Sequence, residues 1–360
     1  MQKDVLNIRI NITPKKLNVY MKYKLLYVDC GSEVNIGDYI QALASSQFLP
    51  HIDGYVNREE LNRYDGSPCK VIMNGWYMFQ PENWPPSSKI IPLFVAFHLN
   101  VMVMNKMLGT KSVHYLKEYA PIGCRDYHTM KLLESKGIKA YFSACMTLTL
   151  GKTYASKEKD NTYYFVDPAI PSFKSPFIVV RYVKDLLSQY GEVVELCGKI
   201  FGRKRSLKNL LKTAAFIHIY SKVIDKSILT DAVFITHQST HYKDAFSTHE
   251  SRLAEAERLV KLYSKAKLVV TSRIHCALPC LGMNTPVVFT EREGEEINSA
   301  CRFEGLRELF NVMSVGKTKS KLMFEFSGKI SKSTIPQNKS TWMPYAEKLS
   351  QLCRDFVKEE

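Results

Sequence analysis

Short apolar runs that alternate with helical periodicity are the feature that most restricts the fold of this chain. KLLYVDC reads as a strand, IGDYIQALASSQFL predicts a helix, and KVIMNG and IIPLFVAFHL predict further strands. Glycine, aspartate or proline separates each run from the next. This order is typical of parallel βαβ units and favours them over a β-sandwich. The sequence therefore predicts an α/β protein.

The alternating pattern is interrupted by the polar segment GKTYASKEKDN at residues 151–161, which lacks apolar periodicity. We place a domain boundary there, between a Rossmann-like parallel-sheet domain at residues 1–155 and another at residues 156–335. Residues 336–360 are predicted to form a terminal helix that packs back across the domains. The carboxyl ends of both strand sets would then face one cleft, where ligands bind in such sheets.

The charge balance favours an anionic partner. Lysine and arginine number 50 against 35 aspartates and glutamates, a formal net charge of +15. A phosphorylated small molecule, an anionic membrane surface or nucleic acid would each fit this charge. The basic bunches GRKRSLK and GKTKSK lack the interleaved aromatic residues with which single-strand binders stack bases. No nucleic-acid partner is therefore predicted.

The cysteines and the apolar segments bear on location and metal content. The nine cysteines are odd in number and lie mostly inside apolar runs, as buried thiols of a cytosolic protein do. Cys276 and Cys280 have i, i+4 spacing, but no second pair has zinc-site spacing, so we expect core-facing thiols and no metal site. No signal peptide and no window of 18 uncharged apolar residues is found. We expect a cytoplasmic protein and leave open peripheral contact with the inner face of an anionic membrane.

The first candidate site is the loop and helix start in DCGSEVNIGDYIQALA, residues 29–44. Gly31 and Gly37 permit tight turns and close backbone approach, and the helix N-terminus offers free N–H groups to an anion. Asn35 and Asp38 are the side chains most able to face a cleft. In the alternative interpretation, Asp38 only caps the helix and the glycines only make the turn.

The second candidate site is PIGCRDYHTMKLLESKG, where Arg125 ends a predicted strand. A guanidinium at the carboxyl edge of a parallel strand is suited to bidentate binding of a carboxylate or phosphate. The alternative is that Arg125 and Asp126 pair with surface neighbours.

The third candidate site is VTSRIHCALPCLGMNTPVVF, residues 270–289. Ser272 and Arg273 end a predicted strand, and His275 lies in the first turn of the next helix. A guanidinium beside the positive end of a helix is unfavourable unless an anion joins it. A bound anion would raise the pKa of His275 and keep the imidazole protonated. In the alternative interpretation, His275 is a half-buried histidine whose hydrogen bonds are satisfied within the protein, and Arg273 forms an interdomain salt bridge.

These three segments resemble the polysaccharide pyruvyl transferase family, over roughly residues 25–309. NIGDYIQALA resembles the family's NxGD loop and helix, GCRDYHTMKLLESKG its RD strand and following helix, and TSRIH its TSRLH element. Two positions depart from the family. Cys276 stands where the family usually has glycine, and Ala144 replaces the glycine of an SGC stretch, so we expect differences in pocket shape and acceptor.

The resemblance implies two Rossmann-like domains facing a cleft, similar to GT-B glycosyltransferases, with the acceptor on the N-terminal side and the donor on the C-terminal side. It also implies transfer of a carboxyethylidene group from phosphoenolpyruvate to two hydroxyls of one sugar. The acceptor would be a sugar or oligosaccharide of a cell-surface or extracellular polysaccharide precursor, lipid-linked or free. Phosphoenolpyruvate is the donor substrate, and no cofactor is expected.

The chemistry implied by the resemblance assigns roles to the candidate residues. His275 would protonate the methylene carbon, and Arg273 and Arg125 would bind the two anionic groups of the donor. A carboxylate such as Asp38 or Glu291 would assist the attacking hydroxyl. His237 at the end of AVFITH is either an acceptor contact or a core histidine. The other residues expected to line the site are Asn35, Ser272, Glu291, Arg292 and Arg302.

Two rival functions remain open at this point. A GT-B glycosyltransferase that uses a nucleotide sugar would employ the same cleft, and would release a nucleotide rather than phosphate. A binder of anionic glycans or membranes without catalysis is suggested by the net charge alone, and its binding would be sensitive to salt.

Overall fold

The computed structural model describes residues 21–28, 33–170, 176–294 and 301–358. It is a mixed α/β protein with two largely parallel sheets, so the fold class predicted from the alternating pattern is confirmed. The likeness to GT-B enzymes and the domain limits stay predictions. In chain order the strands are β1 (Lys22–Tyr23), β2 (Leu25–Tyr27), β3 (Val34–Asn35), β4 (Tyr55–Asn57), β5 (Cys69–Tyr77), β6 (Ile90–Leu99), β7 (Ile122–Cys124), β8 (Ala140–Phe142), β9 (Tyr163–Val166), β10 (Val233–Ile235), β11 (Gln238–Ser239), β12 (Leu268–Thr271), β13 (Val287–Arg292), β14 (Asn311–Val315) and β15 (Ser320–Leu322).

Helices connect most of these strands. None of those described is long and apolar enough to cross a membrane. In chain order they are α1 (Ile36–Ser46), α2 (Met104–Met107), α3 (Thr110–Glu118), α4 (Tyr127–Glu134), α5 (Gly151–Tyr154), α6 (Pro176–Ser188), α7 (Tyr190–Phe201), α8 (Leu207–Tyr220), α9 (Lys226–Asp231), α10 (Thr240–Ala245), α11 (His249–Lys265), α12 (Ile274–Gly282) and α13 (Met343–Lys358).

Each half of the chain contributes one main sheet. The N-terminal sheet has the strand order β1-β5-β6-β7-β8 and is parallel throughout. The C-terminal sheet has the order β10-β9-β12-β13-β14-β15, and β15 alone runs antiparallel to its neighbour. The central strands β5, β6 and β12 are almost wholly buried, as expected for parallel strands covered on both faces.

The two halves are joined by backbone pairing and by a shared core. β3 from the N-terminal half pairs with β11 from the C-terminal half in a short antiparallel ladder. The backbone N–H of Ile36 donates to the carbonyl of His237 at 2.8 Å. One apolar cluster contains side chains of both halves, such as Leu43 of α1 and Leu259 of α11. The cavity described below therefore lies between two halves that pack on each other.

Two glycines allow the backbones of the two halves to come into direct contact. A Cβ atom added to Gly282, at the end of α12, would lie 2.3 Å from the carbonyl oxygen of Leu148. A Cβ added to Gly151 would lie 1.7 Å from the carbonyl oxygen of Gly282. Both distances are shorter than any van der Waals contact, so only glycine fits at either position without a backbone shift.

The terminal helix α13 packs against the N-terminal sheet. The carbonyl of Phe356 accepts from Lys70 Nζ on β5 at 2.7 Å, and the carbonyl of Val357 accepts from the hydroxyl of Tyr23 on β1 at 2.9 Å. Cys353 is buried, with its Sγ 3.8 Å from Met146 Sδ. The last helix therefore returns from the C-terminal half to cover the other sheet.

Candidate active site

A cavity of about 430 Å³ opens where strand ends and helix starts of both halves meet. Strands β5, β7, β12 and β13 and helices α1 and α12 each lead into its wall or contribute to it. The structure brings all of the site residues predicted from the sequence to this one cavity: Asn35, Asp38, Arg125, His237, Ser272, Arg273, His275, Glu291, Arg292 and Arg302.

The cavity wall is strongly cationic. Five arginines line it, against the carboxylates of Asp38 and Glu291. Glu291 is already engaged, because Arg307 donates to both of its carboxylate oxygens, at 2.9 and 2.6 Å. A cleft with such an excess of one charge concentrates ligands of the opposite charge. The five arginines are Arg58, Arg125, Arg273, Arg292 and Arg302.

Arg125 is a buried cation at the end of β7. Its side chain is 2% exposed, and its Nε has no hydrogen-bond partner among the described residues. The nearest carboxylate oxygen, Asp126 Oδ2, is 4.0 Å from Nε. Asp126 instead caps α4 by accepting from Thr129 N at 2.8 Å. The alternative of a surface ion pair is therefore wrong: burial lowers the pKa of Arg125, and the unmet donor is suited to an anion.

His98, at the end of β6, joins Asp126 behind Arg125. Its Nδ1 donates to Asp126 Oδ2 at 2.5 Å. Burial and the charge of Arg125 nevertheless lower the pKa of His98 to about 4. Burial alone would raise the pKa of Asp126, but His98 and Arg125 together hold it below its usual value. At neutral pH the pair is thus a neutral imidazole and an ionised carboxylate, which offsets part of the Arg125 charge.

Arg273 is positioned by Asp167 at the end of β9. Arg273 Nε donates to Asp167 Oδ2 at 2.8 Å, and the same oxygen accepts from the backbone N–H of His237 at 2.9 Å. Ser272 Oγ donates to the Asp167 carbonyl at 2.6 Å. Both partners of the salt bridge lie in the C-terminal half, so the predicted interdomain bridge is wrong. Asp167 therefore fixes two segments of the cavity wall, at Ser272–Arg273 and at His237.

His275 is buried in the first turn of α12, and its Nε2 has no hydrogen-bond partner within the described part of the chain. Burial lowers its pKa well below the usual value, and the charges of Arg125, His237 and Arg302 lower it further. The imidazole is therefore uncharged while the arginines carry their full charge. An anion that neutralises the arginines would raise the pKa again.

Gly37 permits this position of His275. A Cβ added to Gly37 would lie 3.1 Å from His275 Cβ and 3.3 Å from its Nδ1. It would also lie 3.0 Å from Asn35 Oδ1. The missing side chain thus lets the starts of α1 and α12 meet. Close packing at this point therefore explains the glycine of the NIGD segment.

Asn35, rather than Asp38, caps α1. Asn35 Oδ1 accepts from Gly37 N at 3.1 Å, so the predicted capping role of Asp38 is wrong. Asp38 lies within the first helical turn and accepts from Gln41 Nε2 at 3.1 Å. Burial raises the pKa of Asp38, although Arg58 and Arg125 partly oppose the shift. Gly31 lies outside the described residues.

His237 is a fully buried histidine at the cavity wall. Its Nε2 lies 2.9 Å from the hydroxyl of Tyr263, and its Nδ1 has no partner among the described residues. Burial lowers its pKa to about 4. The packing matches the core-histidine interpretation, while the free Nδ1 leaves an acceptor contact open.

The cysteines and the two departures from the family pattern are buried. All described cysteines are buried free thiols, including Cys276 and Cys280 on α12. Within the described ranges, no group of three or more His, Cys, Asp or Glu side chains could hold a metal.

Ala144 has φ 58°, a left-handed conformation that glycine adopts without strain. The backbone itself thus favours the glycine that the family has at this position.

Sequence reasoning missed several residues of the site, namely Arg58, Trp76, Phe79, His98 and Asp167. His98 and Asp167 had a usable signal, because each ends an apolar strand next to a predicted site strand. Trp76 lies one residue before the end of β5 and has the same kind of signal. Arg58 directly follows β4, but that strand has only three residues and too little apolar pattern to be predicted, and Phe79 lies in a loop without periodicity.

Fold and cavity together define a class: a two-sheet α/β protein with an arginine-lined cavity beside a buried histidine. The model of the family described as polysaccharide pyruvyl transferase matches residues 35–293, and the chain belongs to this family. The matched range contains Arg58, Arg125 and the segment 272–275.

Other comparisons add little. No curated protein matches the chain. A crystal structure of a functionally uncharacterized protein from Klebsiella pneumoniae subsp. pneumoniae is similar, with 12% sequence identity and a TM-score of 0.38. That match covers 81% of this chain and 89% of the other. Identity and TM-score are too low for the likeness to carry an argument.

Proposed function

We propose that this pyruvyl transferase uses phosphoenolpyruvate and forms a cyclic ketal with two hydroxyls of one sugar in a polysaccharide precursor. The observation that carries the proposal is the unpartnered Nε2 of His275 in a cavity lined by five arginines. Phosphoenolpyruvate offers both a carboxylate and a phosphate to such a wall. It also has a methylene carbon that must gain a proton.

The donor would be bound by arginines from both halves. Arg125 offers a desolvated guanidinium with an unmet Nε donor, and Arg273 offers a half-exposed one fixed by Asp167. Arginine forks match planar carboxylates and tetrahedral phosphates. Binding across the two halves would orient the methylene carbon toward His275, and orientation of this kind supplies much of the rate enhancement.

His275 would act as the general acid. The anionic donor neutralises the arginine charges that lower the pKa of His275, so the imidazole gains a proton as the donor binds. Transfer of that proton to the methylene gives an oxocarbenium-like carbon, and a sugar hydroxyl adds to it. Cleavage of the C–O bond releases phosphate, and the second hydroxyl closes the ketal. One hydroxyl proton restores His275, and the other passes through a cavity carboxylate and leaves with phosphate.

Asp38 is the better candidate to accept a hydroxyl proton. Its pKa is raised by burial, and Arg58 Nη1 approaches its Oδ1 only to 4.0 Å. The other cavity carboxylate, Glu291, is held by two hydrogen bonds from Arg307. A carboxylate without a close cation is the stronger base, so Asp38 fits the role and Glu291 fits a structural one.

The test is phosphate release from phosphoenolpyruvate in the presence of a panel of methyl pyranosides and lipid-linked saccharides, with product mass recorded. A mass gain of one carboxyethylidene group with equimolar phosphate is expected. Nucleotide release from nucleotide sugars, with phosphoenolpyruvate inert, would instead establish the glycosyltransferase alternative. Salt-sensitive glycan binding without turnover would establish a non-catalytic binder.

The same assay tests for a metal. We propose that no metal takes part, and turnover should survive treatment with EDTA. Complete loss of activity that one divalent ion restores would contradict this.

A further inference from the structure

Two aromatic side chains form an exposed shelf at the N-terminal edge of the cavity. Trp76 is the penultimate residue of β5, Phe79 follows three residues later, and their ring centroids are 4.5 Å apart. Both line the cavity, and Phe79 is 59% exposed while Trp76 is half-buried. We call Trp76 and Phe79 the aromatic shelf.

Buried polar contacts hold the aromatic shelf in place. The Glu59 carboxylate accepts from the backbone N–H groups of Phe79, at 2.7 Å, and of Gln80, at 2.9 Å. Arg58 Nε lies 3.3 Å from the same carboxylate, and its guanidinium lies 5.6 Å from the Trp76 ring centroid. Arg58 and Glu59 are both buried. The rings are therefore positioned before any ligand arrives.

The chemistry of the aromatic shelf differs from that of the rest of the cavity. The face of an aromatic ring carries negative potential and repels carboxylate and phosphate, so the shelf is unsuited to the donor. Its negative face attracts the weakly positive C–H groups on the apolar face of a pyranose ring. An exposed phenyl ring also gains by being removed from water. The expected ligand is therefore a neutral sugar ring.

The aromatic shelf lies beside the proposed base. Arg58 contacts the Trp76 face and is 4.0 Å from Asp38 Oδ1, so one side chain joins the shelf to Asp38. We infer that the aromatic shelf is the acceptor subsite: it stacks on the sugar ring and presents the sugar hydroxyls toward Asp38. This inference rests on the proposed function and adds to it the residues that select a pyranose acceptor.

The kinetic test compares Phe79→Ala with Tyr190→Ala, a matched control because Tyr190 is also 59% exposed and lies outside the cavity. Phe79→Ala should raise the acceptor KM roughly ten-fold, with the phosphoenolpyruvate KM unchanged. Phe79→Tyr keeps the ring and should restore the acceptor KM. Tyr190→Ala should leave both constants unchanged. An unchanged acceptor KM in Phe79→Ala would overturn the inference.

A binding test keeps the inference separate from the reaction. The chain has three tryptophans, and Trp84 and Trp342 are buried, so Trp76 is the accessible one. Methyl pyranosides should change the fluorescence of the wild type, and Trp76→Phe should abolish the change. This result would support the aromatic shelf even if phosphoenolpyruvate gave no turnover. An absence of turnover would refute the proposed function and leave the shelf standing. A response to nucleosides and none to sugars would overturn the shelf as a sugar subsite.

Discussion

The two sides of the cavity present arginine in opposite states. On the N-terminal side, the side chain of Arg125 is 2% exposed and its nearest carboxylate oxygen is 4.0 Å away. On the C-terminal side, the side chain of Arg273 is 36% exposed and already paired with Asp167 at 2.8 Å. Arg125 directly follows strand β7, and Arg273 follows strand β12 after one intervening residue. The same residue type just beyond a parallel strand is thus desolvated on one side and neutralised on the other.

The difference indicates a division of work between the two sides. An anion that reaches Arg125 meets a guanidinium that is buried away from solvent, and charge-assisted hydrogen bonds are strong in such an environment. An anion that reaches Arg273 must share it with Asp167 and with solvent, which weakens the contact. We therefore expect Arg125 to supply much of the donor affinity from the N-terminal side, although the family resemblance assigns the donor to the C-terminal side, and we expect Arg273 to orient the donor against His275.

The largest expected effect is loss of the acid on the C-terminal side. His275→Gln preserves size and hydrogen bonding but cannot deliver a proton, so kcat should fall about 10²–10⁴-fold while donor binding survives. His241→Gln, on exposed helix α10, is the control. Steady-state kinetics and donor titration separate the two effects. If His275→Gln retained near wild-type kcat, another acid would be needed, and His237 would be tested next.

The second prediction compares the two arginines directly. Arg125→Ala should lower kcat/KM for phosphoenolpyruvate about 10²-fold, because it removes the desolvated contact. Arg273→Lys keeps the charge and loses the fork, so the donor KM should rise only about ten-fold. Circular dichroism of both variants checks that folding is intact. Equal losses, or unchanged kinetics in Arg125→Ala, would remove the proposed asymmetry.

The third prediction concerns a buried histidine on each side, His98 and His237. Each has its pKa lowered from 6.5 to about 4, so each stays neutral when folded and takes up a proton in the unfolded chain below pH 6.5. Stability should therefore fall as the pH drops from 6.5 to about 4, by roughly 3 kcal/mol per histidine. Urea unfolding across this range measures it. His98→Gln should flatten the profile, and an unaltered slope would show that His98 does not contribute.

The smallest expected effect is at the contact between the two sides. Gly37→Ala would place a methyl group 3.1 Å from His275 Cβ, so the imidazole must shift by a few tenths of an ångström. We expect kcat to fall about ten-fold or less, with a smaller change in donor KM, because the acid moves and the arginines do not. Gly191→Ala, where an added Cβ meets nothing within 4 Å, is the control. Wild-type kcat in Gly37→Ala would mean that His275 does not need its present position.

Sequence reasoning located the site well where the signal was local. Arg125 and Arg273 follow apolar strands, and the carboxyl ends of parallel strands meet at one edge, so their common location could be predicted. The same rule could have found His98 and Asp167. It could not find Phe79, whose position depends on the buried carboxylate of Glu59, 20 residues earlier.

What the sequence determined by itself is the order of strands and helices and the residues at their junctions, because backbone periodicity and turn chemistry act over a few residues. Only the tertiary structure decided the chemical state of those residues. Whether Arg125 is buried, whether Arg273 finds Asp167, and whether His275 is neutral all depend on groups distant in the chain. Desolvation and Coulomb interactions act through space, so charge state followed from how the two halves pack.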